Sequence, residues 1–256
     1  FGVHIFEIAL KLLKTAKKTQ KLRKISYKIA LVLFLINLSL IIYGWCWGKS
    51  SFKVTHTLIE SNKLPKSFEG FKILHFSDAH LGSFWNKNIV KKGVEIINQQ
   101  QADIVVFTGD LVNMSAKEAI DYVELFKSIK AKHGKFAVLG NHDMSDYHKI
   151  DIRRDSLNVG TEAIVDVLEE MGFEVLRNSR KYVHNQNGDS LRIFGTDNWG
   201  IPPFKPWGDI AKAMKDSNED IFTILLTHDP SHWVYEIKGK KDIDLTLSGH
   251  THGMQI

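Results

Sequence analysis

Residues 103–110 read DIVVFTGD, and this stretch decides the fold of the chain. The run at 104–107 is apolar and three of its residues are β-branched, which is typical of a strand buried on both faces of a parallel sheet. The run leads through Gly109 into the carboxylate of Asp110. Because ligands of α/β sheets bind beyond the carboxyl ends of the strands, Asp110 is a candidate site residue.

The same succession of an apolar run and a polar ending recurs along the chain. Strand-like runs lie at 71–76, 103–107, 135–139, 191–196, 221–226 and 243–247, and helix-like runs lie at 87–100, 116–130, 161–171 and 208–216. Ser115 and Glu118 form a capping-box pattern at the start of the second helix. Alternating strands and helices predict an α/β domain with buried sheets.

Five of these strand runs end in side chains that can bind a metal ion. They lead into SDAH (77–80), GD (109–110), GNHD (140–143), HD (228–229) and GHTH (249–252). Carboxylate, amide oxygen and imidazole together suit Mn, Fe, Zn or similar divalent ions. One carboxylate can bridge two such ions about 3.5–4 Å apart, which is the spacing used for in-line displacement at phosphorus. The strand ends therefore indicate phosphoryl chemistry at a dinuclear centre.

The five blocks also resemble those of a known family. D-x-H (78–80), G-D (109–110), G-N-H-D (140–143), T-H-D (227–229) and G-H-T-H (249–252), in this order, are similar to the motifs of the calcineurin-like metallophosphoesterase superfamily. The resemblance covers about residues 70–256. Within the superfamily the chain looks most similar to the bacterial membrane-associated branch, which includes enzymes resembling UDP-2,3-diacylglucosamine pyrophosphatases.

This resemblance implies the fold. The family has a four-layer α/β sandwich, in which two facing mixed sheets are flanked by helices. Members of the branch continue past G-H-T-H with further strands, whereas this chain ends at Ile256. We therefore expect carboxyl-terminal strands of the second sheet to be missing from it.

The resemblance also implies a role for each candidate residue. One divalent metal ion would be bound by Asp78, His80 and His252. A second ion would be bound by Asn141, His228 and His250, and Asp110 would bridge the two ions. His142 would bind neither ion but would lie beside the scissile phosphate, where it would stabilise the transition state or protonate the leaving oxygen. Asp143 would orient His142.

A membrane span is predicted ahead of this domain. Residues 29–47 read IALVLFLINLSLIIYGWCW, carry no charge and end in the aromatic residues typical of a membrane interface. At about 1.5 Å per residue, such a helix can cross a hydrocarbon core of roughly 30 Å. Eight Lys and Arg residues lie between Lys11 and Lys28. The positive-inside rule keeps them in the cytoplasm and places the domain that follows outside.

The predicted organisation is a basic cytoplasmic segment at 1–28, a transmembrane helix at 29–47, a linker and entry strand at 48–69 and a phosphoesterase domain at 70–256. Within the first segment, the apolar-rich residues 1–13 are interpreted as an amphipathic surface helix or as the tail of an earlier span. The net charge of +5 and the pI of about 9.1 come from that segment, which argues against nucleic acid as a partner. Cys46 is the only cysteine, which excludes an intrachain disulfide and a cysteine-rich zinc site.

Other polar residues have weaker patterns. Asp197, Asn198 and Trp199 follow the strand run 191–196 and are interpreted as a substrate rim or as a loop turn. The long connection at 144–160 follows His142 and is of the kind that shapes specificity. Its Arg153 and Arg154 are placed to reach a phosphate or to remain solvated. His232 is predicted to lie on a loop or surface, or at the mouth of the pocket.

The sequence thus predicts a metal-dependent hydrolase. It would cleave a phosphate ester or pyrophosphate bond with a hydroxide activated by two divalent metal ions. The substrate would be a phosphorylated small molecule or a lipid-linked compound of the cell envelope, and no obligate protein partner is inferred. The alternative is a membrane-anchored scaffold that has the same fold and binds metal without catalysis.

Overall fold

The computed structural model describes residues 7–8, 10–11, 20–144, 160–185, 187–201, 205–217 and 220–252. The chain divides between His56 and Thr57 into two compact units. The first contains a long apolar helix, and the second contains the sheets and the candidate site residues.

Helix α1 spans Gln20–Cys46 in the first unit. Its stretch Leu22–Gly44 has a hydropathy of 2.2, is not buried, and is long and apolar enough to cross a membrane. Three polar side chains, Ser26, Asn37 and Ser39, each donate to the carbonyl oxygen four residues earlier, at 2.8–3.0 Å. These donors are paired within the helix, as a lipid environment requires. The helix begins before the predicted position 29 because the basic residues ahead of it are good helix formers.

The second unit contains eight strands among the described residues. They are β1 Ile73–Phe76, β2 Ile104–Phe107, β3 Lys135–Ala137, β4 Glu174–Val175, β5 Ser179–His184, β6 Ser190–Gly195, β7 Thr223–Leu226 and β8 Leu245–Leu247. Its helices are α2 Lys87–Gln99, α3 Lys117–Ile120, α4 Val123–Lys127, α5 Thr161–Glu170 and α6 Ile210–Ala213, with a π-helical turn at Trp233–Ile237. Short 3₁₀ turns lie at Gly48–Ser50, Lys66–Phe68 and Leu81–Ser83.

The strands form two four-stranded sheets. The first has the order β1-β2-β3-β4, and its neighbouring strands are parallel. The second has the order β5-β6-β7-β8, with β5 antiparallel to β6 and the remaining pairs parallel. Parallel pairing places the carboxyl ends of β1, β2 and β3 at one edge of the first sheet, and those of β7 and β8 at one edge of the second.

Apolar side chains alternate between the two faces of the first sheet. Val105 and Phe107 pack against α2, α4 and α5, whereas Ile104 and Val106 pack against the second sheet. On the far face of the second sheet, Phe194 and Leu225 pack against α6 and the π-helical turn. The order of layers is therefore helices, sheet, sheet and helices, which confirms the predicted four-layer α/β sandwich. The prediction that both sheets are mixed is wrong for the first sheet, whose described strands are all parallel.

The structure differs from the sequence-based elements in three main places. The entry strand predicted within residues 48–69 is not formed, and this stretch, whose side chains at 51–60 are exposed, contains only two 3₁₀ turns. The helix predicted at 116–130 is two short helices, α3 and α4, because the chain tightens at Tyr122, whose amide bonds the carbonyl oxygen of Ala119 at 2.9 Å. Strands β4 and β5 were not predicted. β5 reads SRKYVH, and Val183 is its only buried residue, so it lacks an apolar run. The capping-box bonds are present, with the Ser115 amide 3.1 Å from Glu118 Oε1 and the Lys117 amide 3.3 Å from Ser115 Oγ.

Candidate metal centre

Asp110 lies at the centre of the site, in the loop that follows β2. Its side chain is only 2% exposed, and its Oδ1 accepts the backbone N–H of His142 at 2.8 Å. Its Oδ2 lies 3.1 Å from His228 Nε2 and 3.7 Å from His80 Nε2. Burial raises the pKa of Asp110, but the hydrogen bond and charge of His228 outweigh burial and leave the pKa below its usual value. The carboxylate is therefore ionised and faces imidazoles on two sides.

The first group of candidate ligands comes from the loops after β1 and β8, together with Asp110. Ligand atoms of Asp78, His80, Asp110 and His252 all lie within 4.8 Å of one another. His80 Nε2 lies 3.3 Å from His252 Nε2, and His252 Nε2 lies 3.4 Å from Asp78 Oδ1. We call these four residues the open group, because the side chain of His252 is 40% exposed and those of Asp78 and His80 are each 14% exposed.

The second group uses the loops after β3, β7 and β8, again together with Asp110. Ligand atoms of Asp110, His228 and His250 lie within 4.8 Å of one another, and His228 Nε2 lies 3.0 Å from Asn141 Oδ1. His250 Nδ1 lies 3.2 Å from His228 Nε2. We call these four residues the buried group, because the side chain of His228 is 0% exposed and Asn141 is 5% exposed.

The tautomer of His228 follows from its second nitrogen. Its Nδ1 lies 2.7 Å from the carbonyl oxygen of Thr108, which can only accept, so Nδ1 carries a proton. Nε2 is then the atom that faces Asp110 and Asn141, which is the arrangement of a metal-binding histidine. Burial lowers the pKa of His228, but the hydrogen bond and charge of Asp110 outweigh it and raise the pKa to about 9.

Strained backbone delivers several of these side chains. Asp78, His80, Asp110, His250 and His252 have φ angles between 40° and 74°, in the left-handed region that residues other than glycine rarely adopt. Such strain clusters at functional sites, where the surrounding contacts hold it in place. One such contact joins the two sheets, since the His250 amide lies 3.1 Å from each Asp78 carboxylate oxygen.

Two motif glycines allow the loops to approach so closely. A Cβ at Gly140 would overlap Asp110 Oδ1, and a Cβ at Gly249 would overlap the hydroxyl of Ser77. The glycine in G-N-H-D and the glycine in G-H-T-H are therefore required by close packing around the carboxylates.

The donor atoms fit two divalent cations. Each group combines carboxylate oxygen with imidazole nitrogen, and the buried group adds an amide oxygen, which suits borderline divalent metals. Burial lowers the pKa of His80 and of His250, which keeps their nitrogen lone pairs available. Asp110 belongs to both groups, as a bridging ligand would. All seven predicted ligands are thus brought together.

His142 lies beside the open group. Its ring centroid is 4.9 Å from that of His80, with the two rings nearly perpendicular. Its Nδ1 lies 2.7 Å from the carbonyl oxygen of Asn113, so Nδ1 carries a proton and Nε2 is the nitrogen left for chemistry. Sequence reasoning did not find Asn113, because it contributes a backbone carbonyl that no side-chain pattern reveals.

Asp143 has a different role from the one predicted. Its fully buried carboxylate accepts the backbone N–H groups of Gly140, Asp110 and Leu111 at 2.7–3.0 Å. Burial and the nearby charge of Asp110 raise its pKa to about 7. Asp143 therefore holds the loop of Asp110 against the loop that carries Asn141, while the carbonyl of Asn113 fixes the ring of His142.

The weaker candidates have mainly structural roles. Asp197 is 5% exposed and pairs with Arg177, whose Nε lies 3.2 Å from its carboxylate, which supports the loop-turn interpretation. The prediction that His232 lies on a loop or surface is wrong. Its side chain is 0% exposed, because it stacks on Trp199 at 5.3 Å and its Nδ1 lies 2.9 Å from Thr227 Oγ1. Arg153 and Arg154 lie outside the described residues.

Comparisons with known proteins point to one family. A model of the calcineurin-like phosphoesterase family matches residues 71–254. The metallophosphoesterase YkuE of Bacillus subtilis is 30% identical over 210 residues, which is 80% of this chain and 66% of YkuE. A transmembrane protein with metallophosphoesterase domain from Danio rerio is 28% identical over 236 residues, which is 90% of this chain and 51% of that protein.

A third relative has a named substrate. The UDP-2,3-diacylglucosamine pyrophosphatase LpxG of Chlamydia trachomatis is 29% identical over 237 residues, which is 75% of this chain and 68% of LpxG. The chain thus spans between about half and two thirds of the length of these three relatives. The family match covers most of the chain and contains all five loops of the site. The chain belongs to the calcineurin-like phosphoesterase family.

Proposed function

We propose that this chain hydrolyses a phosphate ester or pyrophosphate bond with the help of two divalent cations. The observation that carries the proposal is that both ligand groups share the carboxylate of Asp110. A single shared carboxylate holds two cations at the short separation that suits displacement at phosphorus. Apart from Asp110, the three ligands of each group come from loops at the ends of other strands. Because strands anchor these loops, both ligand sets are held rigidly.

Each of the two groups would bind one cation. Asp78, His80 and His252 would hold one cation with Asp110, and Asn141, His228 and His250 would hold the other. When bound, two such ions neutralise the charge of a phosphate and lower the pKa of a water molecule toward neutrality. The protein's own contribution is orientation, because Thr108 fixes the ring of His228 and Asp143 fixes the loop of Asp110.

His142 would act on the leaving oxygen. With a proton held on Nδ1 by the carbonyl of Asn113, the imidazole presents Nε2 for exchange with the substrate. When the ring is protonated, Nε2–H can donate to the departing oxygen or stabilise charge on it. The ring of His142 lies 4.9 Å, between centroids, from that of His80, which supports a role beside the open group.

The substrate class is narrowed by the membrane helix and by the relatives. Helix α1 supports attachment to a membrane, and so does the relative from Danio rerio that is named as a transmembrane protein. LpxG is named for UDP-2,3-diacylglucosamine, an acylated nucleotide sugar, so the acyl chains rather than the nucleotide would be what a lipid-linked substrate here shares with it. The basic residues before α1 favour an extracytoplasmic domain, so the substrate would belong to the cell envelope rather than to a cytoplasmic nucleotide pool.

Topology can be measured separately from activity. Protease added to intact spheroplasts should digest the second unit if the domain is extracytoplasmic. A domain that is protected until the membrane is permeabilised would refute the proposed side, without affecting the proposed reaction.

The reaction itself is tested with a generic phosphodiester. Mn²⁺-dependent hydrolysis of bis(p-nitrophenyl) phosphate should fall by orders of magnitude in Asp110→Ala and in His142→Ala. His184→Ala is a matched control, since this exposed histidine of β5 lies outside the site. Full activity in both site variants would contradict the proposal. Wild-type protein that binds two metal ions yet hydrolyses no ester would favour the scaffold alternative.

A further inference from the structure

An exposed groove on the second unit combines aromatic rings with lysines. It has a volume of about 720 Å³ and lies between residues 206–211 and the π-helical turn with the residues that follow it. Trp207 and Tyr235 line it, as do Lys240 and Lys241. Tyr235 is 56% exposed and Trp207 is 42% exposed, so the groove presents two large rings to solvent.

The groove carries charges of both signs, and the lysines are in excess only when those beside it are included. Lys205 Nζ lies 5.5 Å from the ring centroid of Trp207, and Lys240 and Lys241 are exposed. The acidic side chains of the groove are instead engaged with the protein. Asp209 accepts the backbone N–H of Lys212 at 2.8 Å as a helix cap, and Glu236 lies 3.2 Å from His232 Nε2. Together with the exposed Lys205 and Lys238 beside it, the groove therefore has four lysines against two carboxylates, so its surface is aromatic with an excess of cations.

The π-helical turn continues the same chemistry beside the groove. Trp233 is 41% exposed, Val234 is 57% exposed, and Lys238 Nζ lies 5.1 Å from the ring centroid of Trp233. Tryptophan and tyrosine with nearby lysines are the residues that proteins place at the headgroup level of a bilayer. Their rings partition into the interface, while the ammonium groups meet anionic headgroups.

We propose that this groove, which we call the aromatic–lysine groove, docks onto the anionic surface of the membrane in which α1 is anchored. Only residues 47–56 connect the end of α1 to the second unit, and they can extend over at most about 35 Å. Such a short tether keeps the effective concentration of bilayer surface high, so weak contacts suffice for docking. A bilayer matches both the exposed rings and the exposed lysines.

The groove is also connected to the candidate metal centre. Tyr235 stacks on Trp199 at 5.6 Å, and Trp199 stacks on the buried His232. His232 in turn contacts Thr227, the residue before His228. Docking at the groove would thus bring headgroups near the loop of the buried group. The docking inference does not depend on hydrolysis and is tested without it.

Site-specific fluorescence in reconstituted vesicles tests the docking. The full chain, with Cys46→Ser to remove its only cysteine, receives an environment-sensitive dye at Ala211→Cys, an exposed residue of the groove. The control carries the dye at Lys92→Cys, on the exposed face of α2. Both proteins are inserted into vesicles of phosphatidylcholine alone or of equal parts phosphatidylcholine and phosphatidylglycerol, with a nitroxide quencher on the lipid headgroups.

We expect the dye at Ala211 to be quenched several-fold more than the dye at Lys92 in anionic vesicles, and this difference to disappear in phosphatidylcholine or at high salt. Each lysine near an anionic surface strengthens association by about fivefold, so Lys240→Gln with Lys241→Gln should weaken docking roughly 25-fold. Lys240 also bonds the carbonyl oxygen of Tyr235, so Lys240→Arg with Lys241→Arg is the matched control and should retain docking. Equal quenching at both positions, or quenching at Ala211 that ignores lipid charge, would overturn the proposal.

Discussion

The open group and the buried group share Asp110 but differ in their surroundings. His228 is fully buried, and its Nδ1 bonds the carbonyl oxygen of Thr108, so the buried group joins the second sheet to the first. His252 is 40% exposed, and His142 lies beside His80 in the open group. The difference teaches that one half of the centre also supports the fold, while the other half is the one that solvent reaches.

The largest effect is expected from removing the residue that both groups share. Asp110→Asn keeps the shape of the side chain but removes its charge, so neither cation retains its full ligand set. We expect hydrolysis to fall by about 10³-fold or more, which corresponds to several kcal/mol of transition-state stabilisation. Steady-state rates with Mn²⁺ measure it. The control is Asp121→Asn, at a carboxylate whose side chain is 72% exposed, and an unchanged rate in Asp110→Asn would break the comparison.

A smaller loss of activity is expected when His142, the proposed proton donor, is replaced and the metal ligands are left unchanged. His142→Gln should lower hydrolysis by about 10²-fold, the lower end of the contribution typical of a positioned general acid. Metal content should remain that of the wild-type chain, because His142 belongs to neither group. Rates and metal analysis on the same sample check both statements. Loss of metal in His142→Gln would show that this residue is a ligand.

The two groups should also differ in how much they contribute to the free energy of unfolding. In metal-free protein, His228→Ala leaves a cavity and the buried carbonyl of Thr108 without its donor, which should cost about 3 kcal/mol. His252→Ala removes a partly exposed ring and should cost less than about 1 kcal/mol. Chemical denaturation of the two variants beside wild type measures the difference. Equal losses would mean that the two groups are equally built into the fold.

The smallest difference between the two groups is expected in the rate at which they release metal. A chelator should remove the two cations in two phases, with the ion of the open group leaving first, because solvent reaches His252 and not His228. Stopped-flow release of Mn²⁺ resolves the phases. In His252→Ala the fast phase should disappear, whereas a single phase in wild type would contradict the asymmetry.

Much of this centre follows from the sequence. Strands such as β2 are apolar on both faces, and their carboxyl ends deliver Asp110, His228 and the other ligands to neighbouring loops, so the positions of the ligands were predictable from period and order. Gly140 and Gly249 mark the loops that must approach closely.

The remaining features depend on contacts that leave no side-chain pattern. The role of Asp143 rests on backbone N–H groups of another loop, and the ring of His142 is held by a backbone carbonyl. β5 forms a strand although its sequence is polar, because it hydrogen-bonds to β6, and this pairing cannot be read from the residues of β5 alone. The burial of His232 depends on Trp199, which is distant in sequence.

The stoichiometry of metal binding tests the central claim most directly. The purified chain, stripped with a chelator and then equilibrated with Mn²⁺, should bind two ions per chain, as expected for a centre bridged by one carboxylate. The same measurement on Asp110→Asn should show loss of both tightly bound ions. Fewer than about one ion per wild-type chain would contradict the account of two groups joined at Asp110.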